Sequence, residues 1–357
     1  MKKNTLLFCL VFLLACKDNL PPVTPPVVSE THLFLKAADL SDLKKIEDAG
    51  IVFKNASGQA EDLMTTLASE GCNAIRLRLW KNPADEHASY EEVKAVAQRI
   101  KSHNMKLWLS VHYSDTWADP GQQTTPSAWA NLTLTQLKDS VYNYTKAIVT
   151  EMQPDYIQIG NEINGGLLWP KGSINNPDQF LALLTVGIQA VRDNAPNTQI
   201  IVHYAGIDAA DWFFGQLTGL DYDIIGLSYY PVWHGKNLDL LSTTIQDLGA
   251  VYDKDVVIAE TAYPFTLDWN DWTNNVVGET SQLILPEYPA TETGQKAFLN
   301  NLVDISKATN RGIGFCYWGG ELVAYNGTQS TNGSSFENQA MYNFQYQALP
   351  IMQVFGR

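Results

Sequence analysis

Two apolar stretches of this 357-residue chain each end on a glutamate. IQIGNE, residues 157–162, runs into Asn161 and Glu162 and then into a Gly-Gly hinge, while VVIAE, residues 256–260, stops on Glu260. A buried strand keeps aliphatic residues to its end, because an unpaired carboxylate in an apolar interior is costly. A carboxylate there is solvated, paired or kept for chemistry. Two opposed carboxyl groups suit cleavage of a glycosidic bond: one protonates the leaving oxygen, the other attacks the sugar or activates water. The acid must be uncharged before attack and its partner ionised.

Other polar residues recur at the ends of apolar runs: Asp39, Arg76 with Arg78, His112 with Asp115, His203, Tyr229 with Tyr230, and Trp318. Arg76 and Arg78 are two apart on one strand and face the same side. A guanidinium there would hold a nucleophilic carboxylate charged, and Tyr229 or Tyr230 would donate a second hydrogen bond to it. Asn161 is placed to hold a sugar 2-hydroxyl, a contact that strengthens in the transition state. Trp318 offers a flat face to a pyranose ring. One such residue would read as a cap or a rim group; a whole series of strand ends does not.

The elements that must position these groups alternate between two periods. Short apolar runs occur at HLFLKAADL, NAIRLRLW, MKLWLSVHY, DYIQIGNE, QIIVHYAG, DIIGLSYYP, VVIAETAYP and GIGFCYW. Between them lie stretches of helical spacing such as LTQLKDSVYNYTKAIVTEM and QFLALLTVGIQAVRDNAP. Strands alternating with helices predict an α/β fold with a parallel sheet, and eight of them close a (β/α)8 TIM barrel. No composition break divides residues 33–357, which read as one catalytic domain. Active sites of such barrels sit at the C-terminal ends of the strands, so Glu162 on strand four and Glu260 on strand seven face each other across the mouth. The loops after strands three and seven are long, roughly twenty and thirty residues, a size that is usually functional. They carry Trp117, Trp129, Trp269 and Trp272, expected as groove walls, whereas 325–336 reads as a mobile surface loop.

The N-terminus reads as an address. Lys2 and Lys3 precede an apolar run from Leu6 to Ala15, too short for a stable span and fit for a signal-peptide core. It ends in Leu13-Leu14-Ala15-Cys16, which resembles the lipobox of bacterial lipoproteins, with residues 1–16 as leader and Cys16 as the acylated residue. Residues 17–32, containing PPVTPPVV, read as a stiff tether. The expectation is a lipid-anchored protein of the bacterial outer membrane or cell surface, with the periplasmic face as the other option. A net charge of −14 excludes nucleic acid as a partner, since phosphates repel such a surface. Cys72 and Cys316 read as buried free thiols rather than a disulfide framework.

The blocks NAIRLRLWKNP, VHYSDTWADPGQQTTPSAW, IGNEINGGLLWP, GLSYYPVWHG and IAETAYP, with ADLSDL before them, cover most of the chain from Phe34 to Trp318. In these the chain resembles glycoside hydrolase family 53, the arabinogalactan endo-β-1,4-galactanases. The resemblance implies Glu162 as acid/base, Glu260 as nucleophile, and galactose contacts from the loop holding Asp115, Trp117 and Asp119. It implies a retaining, endo-acting enzyme on β-1,4-galactan and galactooligosaccharides, expected as a monomer. The chain departs from the family at Trp318, which is followed by Gly319-Gly320-Glu321 where members often carry Trp-Glu-Pro. Bacterial members can hold calcium in the loop after strand seven, using an Asp- and His-rich stretch. Here it reads DWNDWTNN, leaving Asp268 and Asp271 as candidate ligands, and no cofactor is expected. Trp269 and Trp272 either line an outer sugar subsite or pack the loop. Two other readings stand beside galactan cleavage: a same-fold glycanase for mannan or xylan, and a surface glycan-binding lipoprotein without catalysis.

Overall fold

Eight parallel strands close into a barrel in chain order. They are β1 (Leu35–Asp39), β2 (Ala74–Leu79), β3 (Lys106–Val111), β4 (Tyr156–Ile159), β5 (Gln199–Ala205), β6 (Ile224–Ser228), β7 (Asp255–Thr261) and β8 (Gly312–Tyr317). The computed structural model describes residues 33–357. The expected leader, Cys16 and the Pro-rich tether lie outside the described residues. The (β/α)8 expectation is met strand for strand.

Helices form where an apolar stripe recurs every three or four residues and a cap satisfies the first turn. The helix Leu134–Met152 buries Leu137, Val141, Thr145, Ile148 and Met152 on one face. It begins in a capping box in which Thr133 and Gln136 satisfy each other's backbone N–H groups. Such helices pack on the outside of the strands. Inside the barrel, Leu35, Ala37, Ala74, Trp108, Ile201 and Ile224 belong to a separate apolar cluster, so the lower barrel is a filled core. Cys72 and Cys316 are both buried and unbridged, as expected.

Two residues further along β1 to β5 the inward positions turn polar: Asp39, Arg76, Ser110, Gln158 and His203, all buried. Strict alternation fails at one decisive place. Val257 and Ala259 on β7 belong to the interior cluster, so Glu260 would face the helices. The ladder to β6 slips there: Leu227 pairs with Ile258, but Ser228 pairs with Glu260. Such an irregularity re-aims a side chain, and here it returns Glu260 to the mouth.

The loops after β3 and β7 span 112–133 and 262–291. The segment read as a mobile loop, 325–336, is instead fastened at its far end. Gly333 N donates to Thr273 Oγ1 at 2.8 Å, and Phe336 packs edge-on against Trp318 at 4.6 Å. Its Asn-, Gly- and Ser-rich composition hid these contacts with the β7 loop and with Trp318.

Candidate active site

A cavity of about 480 Å³ opens at the C-terminal end of the barrel, lined among others by Arg76, His112, Asn161, Glu162, Tyr230 and Glu260. Glu260 sits in its floor with both oxygens engaged. Arg76 Nη2 donates to Oε1 at 2.7 Å, and Tyr230 Oη donates to Oε2 at 3.0 Å. Arg76 is 1% exposed, and its other donors go to Asp39 at 2.6 Å, Gln158 at 2.6 Å and Asn161 at 2.8 Å. A buried guanidinium needs such a set of acceptors, since an unpaired charge in the interior is strongly destabilising.

Among the described residues no cation pairs with Glu162. Ser228 Oγ donates to its Oε1 at 2.6 Å. Burial first, and the Glu260 carboxylate second, push its pKa from an ordinary 4.5 up to about 8. Burial raises Glu260 too, but Arg76 and Tyr230 pull the other way, so Glu162 takes the proton first. One carboxylate oxygen of Glu162 lies within 4.8 Å of one from Glu260.

The backbone after β4 explains the Gly-Asn-Glu sequence. Gly160 has φ +88°, and a Cβ there would meet Ile163 Cγ2 at 2.5 Å. Glu162 itself adopts φ +45°, an uncommon conformation for a non-glycine residue that is held only where its surroundings fix it. They do so here. Gln123 Nε2 from the β3 loop donates to Asn161 O at 2.8 Å and Glu162 O at 3.3 Å, and Asn161 Nδ2 donates to Ala118 O at 2.9 Å.

His112 closes another side. Its Nδ1 accepts from Ala118 N at 3.1 Å and Trp80 Nε1 at 3.3 Å, so the ring proton sits on Nε2. Burial and the nearby arginines hold its pKa well below the usual histidine value. Trp117 and Trp318, 6.2 Å apart, form an aromatic wall, and Asp119 lines the cavity beside them.

Several expected site residues make other contacts than those expected, although Arg78 still lines the cavity. The Tyr229 side chain is fully buried in the core and donates to Gly235 O at 2.8 Å, so of the two hydroxyls only that of Tyr230 reaches the Glu260 carboxylate. Arg78 does not reach Glu260; it pairs with Asp42 at 3.2 Å and stacks between Trp80 and Trp117 at 4.4 and 4.1 Å. Asp115 is not among the residues lining the cavity; it accepts from Asn82 N at 3.1 Å and Ser127 N at 2.8 Å and so braces its loop. His203 lies beneath the cavity, against Asn161 and Ser228. Trp129 is buried against Tyr144 and walls no groove. Trp269 and Trp272 are 54% and 59% exposed, so each leaves a large aromatic surface on the loop. Gln123, Gln158 and Ser228 went unnoticed in the sequence. The latter two are single polar residues inside apolar strands, and that was the available signal.

The β7 loop answers the question of a cation differently from its sequence. Asp271 Oδ2, Asn275 Oδ1, Glu337 Oε2 and Asn338 Oδ1 are buried oxygens without a hydrogen-bond partner among the described residues. Glu337 Oε1 accepts from Asn270 N at 2.6 Å and Asp271 N at 3.3 Å, so its carboxylate reaches this loop. Buried oxygens of this kind, two of them from carboxylates, are the donors that a hard divalent cation such as calcium takes. Asp268 is not among these buried, unpartnered groups.

The model of glycosyl hydrolase family 53 matches residues 35–355. A Cellvibrio japonicus protein named arabinogalactan endo-beta-1,4-galactanase is 35% identical over 335 residues, covering 88% of each chain. An Aspergillus terreus protein named probable arabinogalactan endo-beta-1,4-galactanase A is 36% identical over 315 residues, 83% of this chain and 88% of that one. Among solved structures, the Ignisphaera aggregans GH53 catalytic domain matches with a TM-score of 0.86 and 34% identity, covering 94% of this chain and 99% of its own. A fungal beta-1,4-galactanase structure matches at 0.79 with 29% identity, covering 91% and 99%.

Proposed function

The chain belongs to glycosyl hydrolase family 53, and from that premise we propose how its cavity cuts a β-1,4-galactan chain internally, with retention, by double displacement. The observation that carries this is the approach of the two carboxylates to within 4.8 Å. Retaining enzymes hold theirs about 5–5.5 Å apart, whereas inverting ones need roughly 6.5–9.5 Å to admit a water.

Glu260 is the nucleophile. Arg76 and Tyr230 keep it charged and aimed, and it forms a covalent bond to the anomeric carbon while Glu162 protonates the leaving oxygen. Glu162 then takes a proton from the water that releases the sugar. Asn161 is placed for the 2-hydroxyl, the His112 Nε2–H faces the cavity as a fixed donor, and Trp117 and Trp318 supply apolar ring faces.

Mannan and xylan are the competing substrates of the same barrel. A β-1,4-mannanase structure matches at a TM-score of 0.53 but only 13% identity, which shows the fold alone. A purely binding protein would have lost a carboxylate, and both are in place. Separate digestion of galactan, mannan and xylan tests the assignment. Release of β-1,4-linked galactooligosaccharides, initially as the β-anomer by NMR, is expected from galactan only; release from mannan or xylan at a similar rate overturns it.

The lipobox-like Leu13-Leu14-Ala15-Cys16 supports an anchor through Cys16, at the outer membrane or cell surface. No helix of the described residues is long and apolar enough to cross a membrane. Calcium, where bound, would be held by Asp271 and Glu337 and would brace the β7 loop against the segment after β8.

A further inference from the structure

Oε1 of Glu162 already has a partner, and that partner has another behind it. Ser228 Oγ lies 2.6 Å from Oε1, and His203 Nε2 lies 2.9 Å from Ser228 Oγ. On its other side His203 Nδ1 lies 3.4 Å from the backbone N of Glu162 and 3.1 Å from Asn161 Oδ1. His203 and Ser228 are both 0% exposed, so no solvent rearranges these bonds.

Counting donors favours one pattern wherever Oε1 of Glu162 carries no proton of its own. Asn161 Oδ1 already accepts from Arg76 Nη2 at 2.8 Å and Ser110 Oγ at 3.1 Å. A proton on His203 Nδ1 would crowd that oxygen further and leave the Glu162 N–H without an acceptor. It would also oblige Ser228 to donate to His203, stripping Oε1 of its donor. With the proton on Nε2, His203 donates to Ser228, Ser228 donates to Oε1, and Nδ1 accepts the Glu162 N–H. The one unfavourable contact, Nδ1 against Asn161 Oδ1, is eased by the Arg76 charge on that oxygen.

We propose that Ser228 and His203 are positioning residues that reserve Oε1 of Glu162 as an acceptor and confine its transferable proton to Oε2. No described residue donates to Oε2, and Glu162 lines the cavity. This rests on the acid/base reading of Glu162 above. The proton balance is simple: Oε2 gives its proton to the glycosidic oxygen, water later returns one to Oε2, and Ser228 and His203 exchange none. The pair therefore fixes which oxygen delivers the proton and holds the carboxyl plane toward the bond to be cut.

The charged and titratable groups facing Glu162 are Glu260 on β7, Arg76 on β2, Asp119 in the β3 loop, Tyr230 after β6 and His203 on β5. Of these neighbours and Ser228, only Ser228 donates to its carboxylate. Ser228→Ala should move the alkaline limb of the kcat/KM profile up by about one pH unit, because the charged form loses its hydrogen bond. Turnover of galactan should fall roughly tenfold or more, but far less on an aryl galactobioside with a good leaving group, which needs little acid help. Ser228→Thr, which keeps the hydroxyl, should restore the limb. An unmoved limb with equal losses on both substrates would make Ser228 a space-filler and overturn the proposal. Nitrogen NMR of the parent protein is an independent arm: His203 should carry its proton on Nε2, and an Nδ1–H ring overturns the proposal even where variants fail to fold. Glu162→Gln separates the premise from the inference, since a variant that keeps the parental alkaline limb removes the acid role itself.

Discussion

Arg76 touches Glu260 at 2.7 Å and makes no hydrogen bond to Glu162, although the two glutamates share one cavity. That asymmetry supports the proposed roles. A carboxylate beside a guanidinium is the one kept ionised for attack, and one without it is the one that keeps a proton to give. Glu260→Gln should therefore lose turnover on the order of 10³-fold or more while still binding galactan, the pattern of an interaction made only in the transition state. Hydrolysis close to the parental rate would take Glu260 out of the mechanism. Glu162→Ala should recover in part on substrates with good leaving groups, and equal loss on all substrates would refute the acid assignment.

Tyr230 and Tyr229 are adjacent, yet only the Tyr230 hydroxyl reaches the Glu260 carboxylate, at 3.0 Å. A hydrogen bond to a charged group contributes about 1.5–3 kcal/mol, so Tyr230→Phe should cost roughly 10- to 100-fold in kcat. Tyr229→Phe should leave kcat nearly unchanged and cost about 0.5–1.5 kcal/mol of stability through its bond to Gly235 O. Kinetics and thermal melts of the two variants compare them directly; equal effects on kcat would contradict the geometry.

The barrel and its two glutamates were legible because alternating periods of two and 3.6 mark strands and helices without regard to distant contacts. Pairwise choices were not. Both Tyr229 and Tyr230 follow the last residue of β6, where the strand periodicity stops and a turn decides direction. Asp115 and Asp119 occupy one loop, and only the fold of that loop sends one into the cavity and the other to its own backbone. Glu260 was placed rightly for an incomplete reason: simple alternation from Val257 would have turned it outward, and the slip against β6 that corrects this leaves no mark in the sequence. Glu337 was missed because its partners in the β7 loop lie 66 and 67 residues away.

Cys16→Ala should release the protein from the membrane fraction, since no described helix can span a bilayer. The parental protein should show a mass increase from acyl chains at a new N-terminus beginning with Cys16. A variant that still sediments with membranes would end the lipoprotein reading.

Added calcium should raise the melting temperature, and a chelator should lower it again. At a hundredfold excess over its dissociation constant a ligand that binds only the folded state contributes about 2.7 kcal/mol. Asp271→Asn should remove most of that gain, as should Glu337→Gln, because each takes one carboxylate from the oxygen set. Fluorescence of the exposed Trp269 and Trp272 gives a second readout in the same loop. A melt unchanged by calcium and by chelator would leave those buried oxygens without a cation.

The pH dependence of stability follows from Glu162. Its pKa is about 8 in the folded protein against 4.5 ordinarily, so between those values the folded state holds a proton that the unfolded chain has released. Stability from this group is fully present below about pH 4.5 and is lost as the pH rises toward 8. Glu260 also rises but keeps Arg76 as its counter-ion, so the larger share of the effect belongs to Glu162. Glu162→Gln has nothing to titrate there. It should be more stable than the parent near pH 9, by roughly one to a few kcal/mol, and the difference should shrink to nothing toward pH 4. Denaturant melts of both proteins across that range measure it. In the parent, kcat/KM should fall above about pH 8 as the same group loses its proton. A stability difference that does not change with pH would mean that Glu162 ionises as it does in water, and the cavity would then hold two charged carboxylates and no acid.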